Sequence, residues 1–258
     1  MFSPSNKITA KDIEELYYIS DIDNVPSILD KGILSHNDVK DIPHKDISNK
    51  DIQALRKDKL VSIDASHTQL SLWSFVCLFA QPHNAMMHVS KGKNICVLRI
   101  DKKILEQQGV LISDRNASCY NAIFTNVEKW ALTDETARCL YSRYSLPHNN
   151  NLISTNDYKS IRQLEVLCPI RVAKEFILGF FVKQHEDMQA LLAMVKETFS
   201  PSTISVNSNI FFLGKSLKLK TFTPLNQKAI DINTYDNKAS DENSESENIL
   251  EEFKHVSI

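Results

Sequence analysis

The stretch RQLEVLCPI, Arg162 to Ile170, decides how the rest of the chain is read. Leu164, Val166 and Cys168 recur at a period of two and Pro169 closes the run, so the spacing predicts a β-strand. Gln163, Glu165 and Leu167 take the opposite side. A carboxylate in the middle of such a run is costly to bury and uncommon in strands. Two readings stand on spacing alone. Either Gln163 and Glu165 line a cleft, or this is an edge strand whose outer side meets water.

Outward from this stretch, short helices and strands alternate without strict βα repetition, which argues for an α+β fold rather than a doubly wound sheet. ITAKDIEEL opens as a helix capped by Thr9, or as one helical turn followed by a first strand LYYIS (Leu16 to Ser20). VPSILDK continues as a helix with Gly32 at its C′ position. SNKDIQALRKDKL is a second helix, with Ile52 and Leu55 on one face and Arg56 one step around. LSLWSFVCLFAQP is a buried strand or a buried helix. NICVLRI, VLISD and EFILGFFV read as strands, DKKILEQQ and ASCYNAIFTNVEKWAL as helices. EDMQALLAMVKETF is an amphipathic helix, and SNIFFLG a last strand.

The chain has 258 residues, 42% apolar and 24% charged, enough for one large domain. No run reaches the roughly 18 to 20 apolar residues of a membrane span, and the N-terminal segment lacks an apolar signal core, so a cytoplasmic location is expected. Five scattered cysteines without a CxxC pair suggest buried thiols in a reducing compartment. The net charge of −2 is uneven. Residues 231–258 hold eight acids against two Lys, which gives that segment −6 and leaves +4 on residues 1–230. The reading is a mildly basic domain over 1–230, compatible with a polyanionic partner, and an acidic tail over 231–258 expected to be disordered. Five isolated glycines make no phosphate-binding loop and no dinucleotide fingerprint. Eight dispersed histidines without HExxH indicate no metal site.

Five segments, in order, carry a resemblance. LYYISDIDNVPSILDKGILSHN resembles the opening of the DarT family of DNA ADP-ribosyltransferases, where a YHIT-type strand precedes IDNLPSIL and a GL pair. DIQALRKDKLV resembles that family's IKxRR segment, FAQPHNAMMHV its YFNPRNPMLY segment, ISDRNA its TDGNA or TDRHA element, and RQLEVLCPIRV its RQAEFLV segment. The resemblance covers about residues 14–180. It implies the ADP-ribosyltransferase fold, a split, mixed β-core with an NAD cleft and peripheral helices. It implies an enzyme that transfers ADP-ribose from NAD to a nucleobase of single-stranded DNA, needs no metal, and acts as a toxin opposed by a macrodomain antitoxin.

On this resemblance Glu165 is the catalytic carboxylate that holds the nicotinamide-side ribose, and Arg56 the essential arginine beside the NAD phosphates. Without it, Arg56 reads as part of a solvated helix face, with Lys57 next to it. Tyr18, Ser20 and Asn24 are expected at NAD. Tyr158, Arg162, Gln163 and His83 are expected at the target, with Tyr158 either stacking on a base or simply exposed. Three positions depart from the family: Tyr18 stands for His, His83 for Arg, and LWSFV (Leu72 to Val76) for LHDYV. These departures keep open a different acceptor, RNA or protein, related RNA 2′-phosphotransfer chemistry, and a weakened NAD- or nucleic-acid-binding module.

Overall fold

The run Glu15–Asp21 pairs residue by residue with Ile95–Asp101, and these two strands carry Leu16, Ile19, Val97, Leu98 and Ile100 almost fully out of water. The structure, a computed structural model, describes residues 8–63, 68–133, 136, 140, 155–195 and 201–211. Its main strands are β1 (Glu15–Asp21), β2 (Phe75–Phe79), β3 (Ile95–Asp101), β4 (Leu111–Ser113), β5 (Phe124–Asn126), β6 (Glu165–Pro169), β7 (Ile177–Val182) and β8 (Ile204–Val206). The helices that matter for the site and the core are α1 (Val25–Lys31), α2 (Lys50–Asp58), α3 (Ala85–Val89), α4 (Thr155–Ile161) and α5 (His185–Val195).

The eight strands form one mixed sheet in the order β8-β7-β3-β1-β2-β6-β4-β5. β7 and β8 run parallel, the other neighbours antiparallel. β1 is bonded to β3 along its whole length but meets β2 at a single register pair, Tyr17↔Phe79. The sheet is therefore two half-sheets hinged at one point, and the strands diverge on either side of it. Glu165, the first residue of β6, is registered against Phe79, next to that joint.

The two faces of the sheet differ. One is covered by a continuous apolar cluster that includes Leu16, Leu78, Leu98, Val166 and Phe180, packed under α1 and α5. The other carries two separate clusters. One gathers Tyr17, Ile19, Phe79 and Met87, the other Val61, Leu72, Phe75 and Leu167. β2 passes from one to the other between Phe75 and Phe79, and Cys77 faces the gap. Where the chain leaves α1, Gly32 adopts φ +82, and a Cβ there would lie 2.5 Å from the Val172 carbonyl oxygen. Glycine is required at this C′ position for both reasons.

Several expectations need correction. β6 is central, flanked by β2 and β4, so the edge-strand reading of Glu165 fails. Gln163 precedes the strand, in the turn after α4. The helix expected over ASCYNAIFTNVEKWAL is a turn, the strand β5 and a 3-10 turn at Val127–Lys129, because Phe124 pairs into the sheet edge. In ITAKDIEEL only Ala10–Asp12 is helical and a strand follows at Glu15–Asp21, which agrees with the second of the two readings, while DKKILEQQ supplies a 3-10 turn at Lys102–Glu106. The last described strand is Ile204–Val206, and Ser208–Ile210 forms a 3-10 turn where a strand was expected. The acidic segment 231–258, Cys139 and residues 149–154 lie outside the described residues.

Candidate active site

α2 begins at Asn49, whose side-chain oxygen accepts from the backbone N–H groups of Asp51 and Ile52. Two turns later Arg56 leaves the solvated face and enters the protein, with 9% of its surface exposed. The solvated-face reading of Arg56 is thereby excluded. Its Nη2 donates to both carboxylate oxygens of Glu165, at 2.5 and 2.6 Å, and its Nη1 lies 3.0 Å from Cys77 Sγ. Glu165 is fully buried. Such a pair is held by geometry, since neither charge would remain in the interior without the other.

The electrostatics follow from this arrangement. Burial opposes the charge on Arg56, but the Glu165 carboxylate and Cys77 outweigh it and hold the guanidinium more firmly protonated than usual. Burial pushes the Cys77 thiol up to about 12, aided by Glu165 and opposed by Arg56, so it stays a neutral thiol beside the pair. The backbone of Glu165 is pinned as well. Its N–H donates to Ser113 Oγ at 3.0 Å, and that hydroxyl donates to the Arg115 carbonyl at 2.5 Å. The Ala117 N–H approaches Glu165 Oε1 at 3.4 Å.

Arg56, Cys77 and Glu165 lie in the wall of a cavity of about 400 Å³, within the range of small-molecule sites. Tyr18, Ser20 and Asn24 line it, as do Gln163, His36 and Trp73. Tyr18 and Ser20 come from β1 at the sheet joint, and burial pushes the Tyr18 phenol up to about 12, so it remains a hydrogen-bond donor. Asn24 donates to the Lys45 carbonyl at 2.9 Å and accepts from the Lys45 N–H at 2.8 Å, which ties the segment before α2 across the cavity rim. The Trp73 indole N–H donates to the Gln53 carbonyl at 2.9 Å, and its ring lies 4.2 Å from that of His36 at 47°. Among the described residues no group of three or more His, Cys, Asp or Glu is placed to hold a metal, and no helix is long and apolar enough to cross a membrane.

The expected residues thus divide. The structure brings Glu165, Arg56, Tyr18, Ser20, Asn24 and Gln163 to one cavity. It does not bring Tyr158, Arg162 and His83 there. Tyr158 is buried on α4, neither exposed nor free to stack, with the Arg162 guanidinium 5.8 Å over its ring and 3.3 Å from its hydroxyl. His83 is half-buried outside the cavity wall, and burial, with the nearby charges of Arg162 and His88, pushes its imidazole down to about 3. Cys77 and Ser113 were missed. The sequence shows Cys77 only as one residue of an apolar run and Ser113 as the end of a strand. ISDRNA, already singled out, was the available signal for the second.

A family model described as ssDNA thymidine ADP-ribosyltransferase, DarT, matches residues 17–212. A DNA ADP-ribosyl transferase–DNA ADP-ribosyl glycohydrolase fusion protein from Thermosipho africanus (strain H17ap60334) is 29% identical over 222 residues, 80% of this chain and 51% of the relative. The chain therefore spans about half the length of that curated relative. The solved structure of Thermosipho africanus DarTG in complex with ADP-ribose superposes with a TM-score of 0.65 at 26% identity, over 78% of this chain and 51% of that one. Thermus sp. 2.9 DarT in complex with ADP-ribosylated ssDNA shares the fold, with a TM-score of 0.64 at 18% identity over 80% of this chain and 100% of that one. With residues 17–212, most of this chain, matched by the family model and the split mixed sheet in place, the chain belongs to the DarT family and has the ADP-ribosyltransferase fold.

Proposed function

We propose that this protein transfers ADP-ribose from NAD+ to a nucleobase of single-stranded DNA, thymidine being the acceptor in the family's description. The observation that carries the reading is the fully buried Glu165 carboxylate, fixed by Arg56, in a cavity lined by Tyr18, Ser20 and Asn24. In the reaction the C1′–N bond to nicotinamide breaks and nicotinamide leaves with the bonding electrons. A ring nitrogen of the base then bonds to C1′ and releases its proton. The ribose passes through an oxocarbenium-like state, and a carboxylate at its side stabilises that positive charge while accepting from the 2′-hydroxyl. A buried strand end holds the carboxylate in place with little reorganisation.

Arg56 has two roles in this reading. It sets the direction of the Glu165 carboxylate, and its forked cation suits the pyrophosphate of NAD+. Tyr18, Ser20 and Asn24 supply neutral donors and acceptors for the ribose and nicotinamide side. Gln163 faces the acceptor base, whereas Tyr158, Arg162 and His83 lie outside the cavity lining and do not touch substrate. The glycohydrolase half of the Thermosipho africanus fusion protein supports a macrodomain-type antitoxin as the partner of this chain. Both substrates are cytoplasmic, and that location is part of the proposal.

The test incubates labelled NAD+ with the wild type and with Glu165→Ala, against separate single-stranded DNA, RNA and protein pools. Label on thymidine in DNA with the wild type alone is the expected outcome, with a loss of at least about a thousandfold in the variant. Equal label from both proteins, or label confined to RNA or protein, overturns the reading.

A further inference from the structure

The orientation of the Gln163 amide is fixed by a chain of hydrogen bonds that ends in backbone groups. The Ser118 backbone N–H donates to Asn116 Oδ1 at 2.9 Å, and the Ser118 hydroxyl donates to the same atom at 2.6 Å. A backbone N–H only donates, so the other end of the Asn116 amide must be the nitrogen. That Nδ2 donates to Gln163 Oε1 at 2.8 Å. Gln163 Nε2 donates in turn to the Lys159 carbonyl at 3.2 Å, and a carbonyl only accepts. Flipping either amide would set donor against donor or acceptor against acceptor, so the network permits one direction.

The same turn grips the catalytic strand and the helix before it. The Asn116 N–H donates to the Ser160 carbonyl at 2.9 Å, and the next N–H, of Ala117, approaches Glu165 Oε1. Arg115 donates to Asp157 on α4 at 2.7 Å. Asn116 thus sets both the position and the direction of Gln163 relative to Glu165. Gln163 lines the cavity and keeps one Nε2 hydrogen and one Oε1 lone pair beyond these bonds. The free Nε2 hydrogen can donate to a carbonyl of the acceptor base, which orients the base and leaves its ring N–H open to react.

We propose that Asn116 is a positioning residue for the acceptor base, acting through the Gln163 amide. The inference rests on the single-stranded DNA reading above. Base capture depends on Asn116, whereas activation of NAD+ depends on the Glu165–Arg56 pair.

The decisive variant is Asn116→Asp, which removes the donor facing Gln163 Oε1 and drives that amide to flip towards a clash with the Lys159 carbonyl. Transfer to a single-stranded oligonucleotide, as kcat/KM, is expected to fall between about tenfold and a hundredfold. The ratio of DNA transfer to NAD+ hydrolysis measured without DNA falls with it. Gln163→Ala is expected to give the same split. The double variant Asn116→Asp/Gln163→Ala is expected to be no worse than Gln163→Ala alone, because the two residues act as a unit. Thermal melts of all three variants separate this from a general loss of folded protein. The proposal is overturned if Asn116→Asp retains full transfer, if transfer and hydrolysis fall in proportion, or if the double variant shows additive losses. A wild type that hydrolyses NAD+ but modifies no DNA would instead sink the substrate reading and the inference with it.

Discussion

The two half-sheets that meet at Tyr17 and Phe79 are built on opposite principles. In β1, β3 and β7 the residues turned to the continuous cluster are apolar, with Leu16, Leu98, Ile100 and Phe180 fully buried and the strands paired along their length. In β2, β6 and β4 the buried set includes Glu165 and Ser113, joined by Arg56 and Gln163 from neighbouring helix and turn. The first half derives its stability from burial of apolar area. The second accepts the cost of burying charge and satisfies it with specific bonds, an arrangement that contributes little net stability but fixes geometry. The cavity lies where the two meet, because a joint of one register pair lets the strands part there.

The comparison can be broken most sharply at the ion pair. Arg56→Ala leaves the Glu165 carboxylate buried alone and should destabilise the fold by about 3–5 kcal/mol. Arg56→Met/Glu165→Leu should restore most of that stability while leaving no transfer activity. Chemical denaturation beside a DNA-labelling assay checks both, and a double variant as unstable as Arg56→Ala would show that the pair itself holds the half-sheet together.

The apolar half offers the converse. Phe180→Ala should cost about 3–5 kcal/mol through the cavity it leaves. It should not alter kcat at temperatures where the variant remains folded, since Phe180 lies in the continuous cluster on the face away from Glu165. A fall in kcat with the fold intact would mean that the two halves are mechanically coupled.

The smallest effect concerns His83. Its imidazole is pushed down to about 3, by burial first and then by the charges of Arg162 and His88, against about 6.5 in an unfolded chain. Protonation therefore favours unfolding. The stability associated with the neutral ring is fully present above about 6.5 and is lost progressively as pH falls from there towards 3. Melting temperature should decline over that window, and His83→Gln should flatten the decline while leaving other acid-sensitive groups in place. An unchanged pH profile would refute the buried neutral histidine.

What was legible in the sequence was what local spacing dictates. Alternation over Leu164 to Cys168 gave β6, the apolar spacing of Ile52 and Leu55 gave α2, and Gly32 gave the end of α1. The stretch ASCYNAIFTNVEKWAL misled because its helix-like spacing was overruled by pairing of Phe124–Asn126 with Leu111–Ser113. Tyr158 looked like a surface residue because its burial depends on how α4 packs, which sequence neighbours do not show.

The sequence by itself determined the strand that carries Glu165, the helix that carries Arg56, and, through five ordered segments, the family. Only the tertiary structure decided that these two side chains meet, 109 positions apart, on a central strand rather than an edge. Periodicity reports which side of an element a residue takes. Which partner that side meets is set by the order and register of strands distant in the chain, and a one-residue slip in either would send the carboxylate to the other face.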